Sequence, residues 1–463
     1  MNVEKVIAIF DIGKTNKKLF LFNEQYQIVW ENTTQFDETI DEDGDLCENL
    51  ELLTSWVKNT WNEVLALPEF DVKGLNFSTY GASFVYVDAE GKPLAPLYNY
   101  LKPYNEDLKN QFYDTYGGEE TFAVRTASPV LGNLNSGMQI YRIKYEKPEL
   151  FEKIVHCLHL PQYLHSIITG QFHTDITSIG CHTNLWDFRT QKYHAWTTEE
   201  RIESKLPTIF YADQAIRTNI NNQDIQVGIG LHDSSSALIP YLINFTLEPF
   251  VLISTGTWCI TLNPFNETPL TFEELQYDCL CFLSFQQKPV KASRLFAGYE
   301  HEVQTKRIAA HFGTPEDYYK TVAYSADIIT KLNNKEVEIT PSEGKDKYIL
   351  LKNSPFKDRD LSELENYEEA YHQLMLDIVS QQLVSTELVV HNSPVKKLFV
   401  DGGFSKNPIF MNLLAIAFPE VEVYAASMAQ ASSLGAALAI HRHWNSKALP
   451  TDLIDLKYYT SGK

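Results

Sequence analysis

The stretch "IAIFDIGKTNKKLFLF", Ile7 to Phe22, decides how the chain begins. Its Gly13-Lys14-Thr15 has the ending of a P-loop. A P-loop, however, needs a glycine five positions before the Gly-Lys pair, and Ala8 stands there. It also runs into a helix whose amino terminus faces the phosphates. Here "KKLFLF" follows instead, with no helical period. The stretch reads as strand, tight turn, strand, with Asp11 at the end of the first strand. Glycine lets the backbone approach a ligand, and the Thr15 hydroxyl and the turn amides can donate to phosphate oxygens. A carboxylate beside such a turn repels phosphate unless a cation lies between them, which points to Mg²⁺ held through water. A hairpin turn with an exposed aspartate is the plainer reading of the same residues.

Outward from this hairpin the pattern is α/β. "YQIVW" makes a third close strand, and "LCENLELLTSWVKNTWNEVLAL" repeats apolar residues every three or four positions, as a helix does. "GLNFSTYGASFVYVDAEGKP" is strand, glycine turn, strand. "PELFEKIVHCLHLPQYLHSIIT", Pro148 to Thr169, looks helical with a break at Pro161. Near Leu247 the order begins again: "PFVLISTGTWCITLNP" is a second strand, Gly-Thr turn and strand. A long helical region from about Leu361 to Val390 leads into "KKLFVDGGFSKNPIFMNLLAIAF", a strand, glycine turn and helix. The strand "VEVYAAS" and the small-residue helix "AQASSLGAALAIHRHW" follow. Strands alternating with helices in two similar halves predict two α/β domains, residues 1–243 and 244–463.

Composition narrows the partners. With 39 Lys and Arg against 60 Asp and Glu, the formal charge is −21. Such a surface repels phosphate backbones and anionic lipid, so no nucleic acid or membrane partner is expected. Hydrophobic residues make up 44% of the chain, enough for large cores. The six cysteines form no CxxC pair, which fits a reducing compartment. No segment approaches the length of an apolar spanning helix, and a cytoplasmic protein is expected.

Three further places carry polar groups suited to chemistry. In "GIGLHDSSSALIP", Gly228 to Pro240, Asp233 stands between His232 and Ser234 at the start of an apolar helix. It suits a general base facing a cleft; as an alternative, an aspartate before Ser and Ala makes a favourable helix cap. "STGTW", Ser254 to Trp258, offers turn amides and the Thr257 hydroxyl to phosphate. "DGGFSKNP", Asp401 to Pro408, and "ASSLGAA", Ala431 to Ala437, are rich in small residues that let a flat ring lie against backbone, though close helix–sheet packing needs the same residues. The central histidines set up no HExxH.

Taken in order, Asp-x-Gly-x-Thr, His-Asp, Thr-Gly-Thr, and Gly-Gly with a small-residue helix resemble the FGGY family of carbohydrate kinases, from Ile7 to about Ile440. "STYGASFVYVDAEGKPL", "HDSSSALI" and "STGTW" are similar to segments of rhamnulokinases within it. The resemblance implies two ribonuclease H-like (actin-like ATPase) domains with a cleft between them, and transfer of the γ-phosphate of ATP to a ketose such as L-rhamnulose or a related deoxyketose or pentulose. It implies Asp233 as catalytic base and His232, Ser234, Gly81 and Ser83 at the sugar. Asp11 would coordinate Mg²⁺, with Gly13, Lys14, Thr15, Gly256 and Thr257 at phosphate and Gly402, Gly403 and Asn407 at the adenine nucleoside. It allows a monomer or homodimer. Lys14 and Ser83 depart from the family pattern, at a threonine and an acidic position respectively. "VKASRLFAGYEHEVQTKR" also matches poorly, although its Arg294 could contact phosphate or sugar. An actin-like ATP-binding switch without sugar transfer is the alternative that these departures support.

Overall fold

The computed structural model describes residues 3–246, 248–336, 348–428 and 430–460. The opening stretch is a hairpin of two antiparallel strands, Glu4–Ile12 and Lys17–Asn23, extended by Ile28–Thr34. The first strand is parallel to Phe70–Thr79, which in turn pairs with Gln223–Gly228 and Leu231–His232. Successive side chains of a strand point to opposite faces, so an unbroken apolar run marks a strand covered on both. That is what "VIAIF" does. Val6, Ala8 and Phe10 join the core under the helix Leu50–Leu65, whereas Ile7 and Ile9 pack with Leu434 and Ala437 of the helix Ala431–Ala439.

The second half repeats the plan. Phe250–Thr255 and Cys259–Asn263 form a hairpin, and Phe250–Thr255 runs parallel to Lys397–Gly402, itself parallel to Glu422–Ser427. Val251 and Ile253 face the core containing the long helix Tyr367–Val390; Phe250 and Leu252 face Leu238 and Tyr241 of the helix Asp233–Asn244. This last helix, which we term the aspartate helix, lies between the sheets, since its Ile239 belongs to the core on the first sheet. Beside it runs Ala431–Ala439, the serine helix. A Cβ on Gly435 would stand 1.8 Å from the Ser236 carbonyl oxygen, so only glycine permits that approach. Gly435 thus serves close helix packing.

Several boundaries differ from the sequence expectations. Between Pro148 and Thr169 the interruption is a strand, His156–His159, pairing with Phe84–Val87, and Pro161 lies in the first turn of the helix Leu160–Thr169, where its missing N–H costs nothing. The helix leading to Val390 starts at Tyr367, capped by Asn366, after a separate 3₁₀ turn at Leu361–Glu363. The carboxy-terminal small-residue helix ends at Ala439, followed by a separate turn, His441–Trp444. All six cysteines are free and buried. Among the described residues no helix is long and apolar enough to cross a membrane.

Candidate active site

Asp11 ends its strand opposite Lys18 and Ser78. Its Oδ2 accepts hydrogen bonds from the hydroxyls of Ser432 and Ser433, both at 2.8 Å. Burial raises its carboxyl above the ordinary value, the two hydroxyls oppose that, and the charge of Asp233 adds to it. Ser432 also accepts, through its carbonyl, a 2.7 Å bond from the Ser236 hydroxyl, in the first turn of the aspartate helix. Asp11 and the start of the aspartate helix are thus linked through the serine helix, and Asp233 lies close enough for its charge to act on Asp11.

The turn after Asp11 is closed by a bond from the Gly13 amide to the Asn16 carbonyl, 2.9 Å. Underneath, the buried Lys17 ammonium donates to the Lys14 carbonyl at 2.9 Å and pairs with buried Glu48 at 2.9 Å. Thr15 is exposed and available to a ligand. The Lys14 ammonium pairs with Glu38 at 2.8 Å and lies about 6 Å from the rings of Tyr80 and Tyr100. It therefore leaves the turn on the side of Tyr80, next to Gly81.

Asp233 is the first residue of its helix; His232 occupies the capping position and makes no side-chain cap bond. The cap alternative therefore fails for Asp233. Its carboxylate accepts from the adjacent Ser234 amide at 2.6 Å and lies 3.2 Å from His232 Nε2, while remaining about one-third exposed. The His232 ring is buried, which pushes its pKa down despite the Asp233 charge, so the imidazole is neutral at neutral pH. A Cβ on Gly81 would lie 2.8 Å from that ring, and glycine is what lets this strand end approach it. Ser83 is buried two residues further on, only 2% exposed, its carbonyl accepting from Leu160 N; it belongs to the wall behind Gly81 rather than to the crevice surface.

The second hairpin turn is tied to the third strand of its sheet. Thr255 Oγ1 donates to the Asp401 carbonyl at 2.5 Å and accepts from Phe404 N at 3.0 Å; the Thr255 carbonyl accepts from Gly403 N at 3.1 Å. Gly402 has φ +88° and a Cβ there would stand 1.9 Å from the Thr255 carbonyl oxygen, so its role is the crossing itself. Gly256 and Gly403 line a cavity of about 560 Å³ together with Gly298, His301, Tyr319 and Asn407. Thr257 is exposed at the turn, and its carbonyl holds the Tyr299 amide. The Asn407 side chain is fully engaged: Oδ1 caps the helix Pro408–Ala417 and Nδ2 donates to Tyr371 Oη at 2.7 Å. It borders the cavity as a structural part. Arg294, expected at phosphate or sugar, holds Asp278 with two bonds, at 3.1 and 2.5 Å, and lies over Trp258.

Among the described residues no group of three or more His, Cys, Asp or Glu side chains could hold a metal ion. The central histidines have other partners: His159 meets Ser136, His165 the Gly228 carbonyl, and His182 the Leu134 carbonyl. A lone carboxylate with a spare oxygen suits Mg²⁺, which keeps several waters and takes its remaining ligands from substrate phosphates. Asp11 fits that requirement, because only its Oδ2 is taken up by the two serines.

Sequence reasoning missed Ser432 and Ser433 as partners of Asp11, and missed the Lys17–Glu48 pair. The serines lie in a stretch singled out for other reasons, and no spacing rule relates them to a residue some four hundred positions away.

Residues 6–239 match the model of the FGGY carbohydrate kinase N-terminal domain, and residues 247–448 that of the FGGY C-terminal domain. A rhamnulokinase of Halalkalibacterium halodurans is 21% identical over 264 residues, 54% of each chain. An L-fuculokinase of Haemophilus influenzae is 28% identical over 206 residues, 39% of this chain and 41% of that one. The chain spans about half the length of the rhamnulokinases it matches. Among solved structures, a carbohydrate kinase from Novosphingobium aromaticivorans shares the fold with a TM-score of 0.79 at 19% identity, covering 99% of this chain and 94% of that one. A ligand-bound xylulose kinase from Lactobacillus acidophilus follows at 0.76 and 14%, covering 98% and 94%. With both domain models matched over most of its length, the chain belongs to the FGGY family of carbohydrate kinases.

Proposed function

We propose that the protein, with its lobes at residues 1–243 and 244–463, transfers the γ-phosphate of ATP to a hydroxyl of a ketose, an L-rhamnulose-like deoxyketose or a pentulose, with Asp233 as general base. What supports this is the partly exposed Asp233 carboxylate, close enough to Asp11 for its charge to act there, with both carboxylates beside strand ends of one sheet. The rhamnulokinase and fuculokinase relatives support the acceptor class.

A sugar hydroxyl is a poor nucleophile. Asp233 accepts its proton as the bond to phosphorus forms, while the neutral His232 ring beside it leaves the carboxylate's charge in place. A positioned base contributes about 10²- to 10⁴-fold. The Gly13 and Gly256 amides close their turns, and the following amides of Lys14, Thr15 and Thr257 donate to phosphate oxygens, while Lys14 supplies a cation on the acceptor side. The cavity bounded by Gly298, His301 and Gly403 takes the nucleoside. Mg²⁺, when bound at Asp11 with the nucleotide, neutralises charge on the phosphates.

The test is sugar-dependent ADP release across a panel of ketoses and polyols. Asp233→Asn should lower kcat on the best acceptor by at least about 100-fold with little change in KM for ATP. Wild-type turnover by that variant refutes the base assignment. ATP binding without acceleration by any sugar would favour the ATP-binding switch instead.

A further inference from the structure

Behind the His232-Asp233 pair lies a buried turn that the mechanism so far does not use. The chain enters it through the two-residue strand Thr174–Asp175 and forms a single helical turn, Ile176–Ile179. Asp175 is wholly buried. Its Oδ2 accepts from the Thr177 amide at 2.9 Å, from the Ser178 amide at 3.1 Å and from the Thr177 hydroxyl, while Oδ1 has no partner among the described residues. A hydroxyl has one proton to give, and Thr177 gives it to Asp175. Its oxygen is thereby presented to the backbone amide of His232, which donates to it at 3.0 Å.

The same turn touches His232 a second time. Cys181, just beyond it, places its sulfur 3.4 Å from His232 Nε2, the nitrogen that lies 3.2 Å from the Asp233 carboxylate. Both the backbone and the ring of His232 are thus referenced to one short segment. Leu231 and His232 pair with Ser78 and Thr79, so the strand leading to Asp233 is only two residues long. Two residues of ladder set its direction weakly. The Thr177 bond supplies what the ladder lacks.

We propose that Thr177 is a positioning residue for phosphoryl transfer: its hydroxyl, aimed by Asp175, fixes the His232 amide and through it the place of the Asp233 carboxylate. This rests on Asp233 being the base. A side chain that only filled space here would act through its volume, whereas Thr177 acts through the direction of one O–H bond, and valine and serine separate the two.

Thr177→Val keeps the shape and removes the hydroxyl; Thr177→Ser keeps the hydroxyl and removes a methyl. With the best acceptor of the panel, Thr177→Val should lower kcat about 30- to 100-fold, the loss expected when a reacting group is misplaced by up to about 1 Å, with KM for ATP within about twofold of wild type. Thr177→Ser should recover kcat to within about threefold. Amide hydrogen exchange should show His232 N–H losing protection in Thr177→Val and regaining it in Thr177→Ser. Wild-type kcat in Thr177→Val, a Thr177→Ser variant as slow as Thr177→Val, or a parallel loss in kcat and ATP affinity overturns the proposal. Should Thr177→Val fail to fold, Thr177→Ala is held to the same pattern. Asp233→Asn separates the two claims. If that variant turns over like wild type the base assignment falls, while exchange at His232 in Thr177→Val still reports whether Thr177 holds that amide.

Discussion

Gly435→Ala should slow the enzyme and destabilise it together, because one contact serves both. The serine and aspartate helices cross where a Cβ on Gly435 would lie 1.8 Å from the Ser236 carbonyl, and the helices must separate until that distance is at least 3.0 Å. Forcing a methyl into a close-packed contact costs about 1–3 kcal/mol, and in a unit the size of one lobe each kcal/mol lowers Tm by about 2–4 °C. The displacement acts on three named bonds. It pulls Ser236 away from the Ser432 carbonyl and shifts Ser432 and Ser433 relative to Asp11. A shift of about 1 Å at a reacting centre costs on the order of 100-fold, so kcat should fall at least about tenfold. KM for ATP should change little, because Gly298, His301 and Asn407 lie on other elements. The assay is scanning calorimetry alongside steady-state kinetics. A lowered Tm with wild-type kcat would show that the serine helix is scaffold only, with no part in placing Asp11 or Asp233. Unchanged values of both would refute the packing argument itself.

Other consequences can be measured as directly. Lys17→Met leaves Glu48 charged and buried, which should cost about 3–5 kcal/mol in urea unfolding, and a Lys17→Met/Glu48→Leu double variant should recover much of it. Burial pushes the Asp175 carboxyl up to about 7, above its ordinary 3.8. The folded state therefore keeps a proton that the unfolded chain releases, so stability falls as pH rises from about 4 to 7 and levels off above. Asp175→Asn should remove that slope from a Tm-against-pH series, and an identical slope in the variant would contradict the assignment. Asn407→Ala removes a helix cap worth about 1 kcal/mol, seen as a lower urea midpoint, and takes away a side chain that borders the cavity, so KM for ATP should rise severalfold.

What the sequence disclosed depended on how local the physics was. The two hairpins were legible because an apolar run flanking a Gly-Thr turn has one simple solution, and the helix over Leu50–Leu65 because its period is plain. Pro161 was misread because a proline breaks a helix or opens one with equal ease, and only the pairing of His156–His159 with Phe84–Val87 decides between them. Asp233 was ambiguous for a related reason. Base and cap demand the same residue beside the same helix start, and the difference lies in which residue takes the capping dihedrals, here His232. Arg294 looked like a ligand contact because its partner, Asp278, sits across a strand pairing that no local pattern announces. Lys17 was invisible as a buried residue, since its partner Glu48 lies beyond three further strands.

The two lobes share a strand plan but divide the chemistry between them. In the first sheet the residue pair at the hairpin turn is Asp11 opposite Ser78; in the second it is Ser254 opposite Asp401, with acid and hydroxyl exchanged between strands. Each acid is then held by a helix from between the sheets. Asp11 takes the hydroxyls of Ser432 and Ser433, and Asp401 takes the Tyr241 hydroxyl at 3.2 Å, two turns along the helix that begins with Asp233. The serine helix, from the second half of the chain, is thus bonded to the first sheet and the aspartate helix, from the first half, to the second, and drawing either helix off that sheet costs about 1–3 kcal/mol for each lost bond to a charged group.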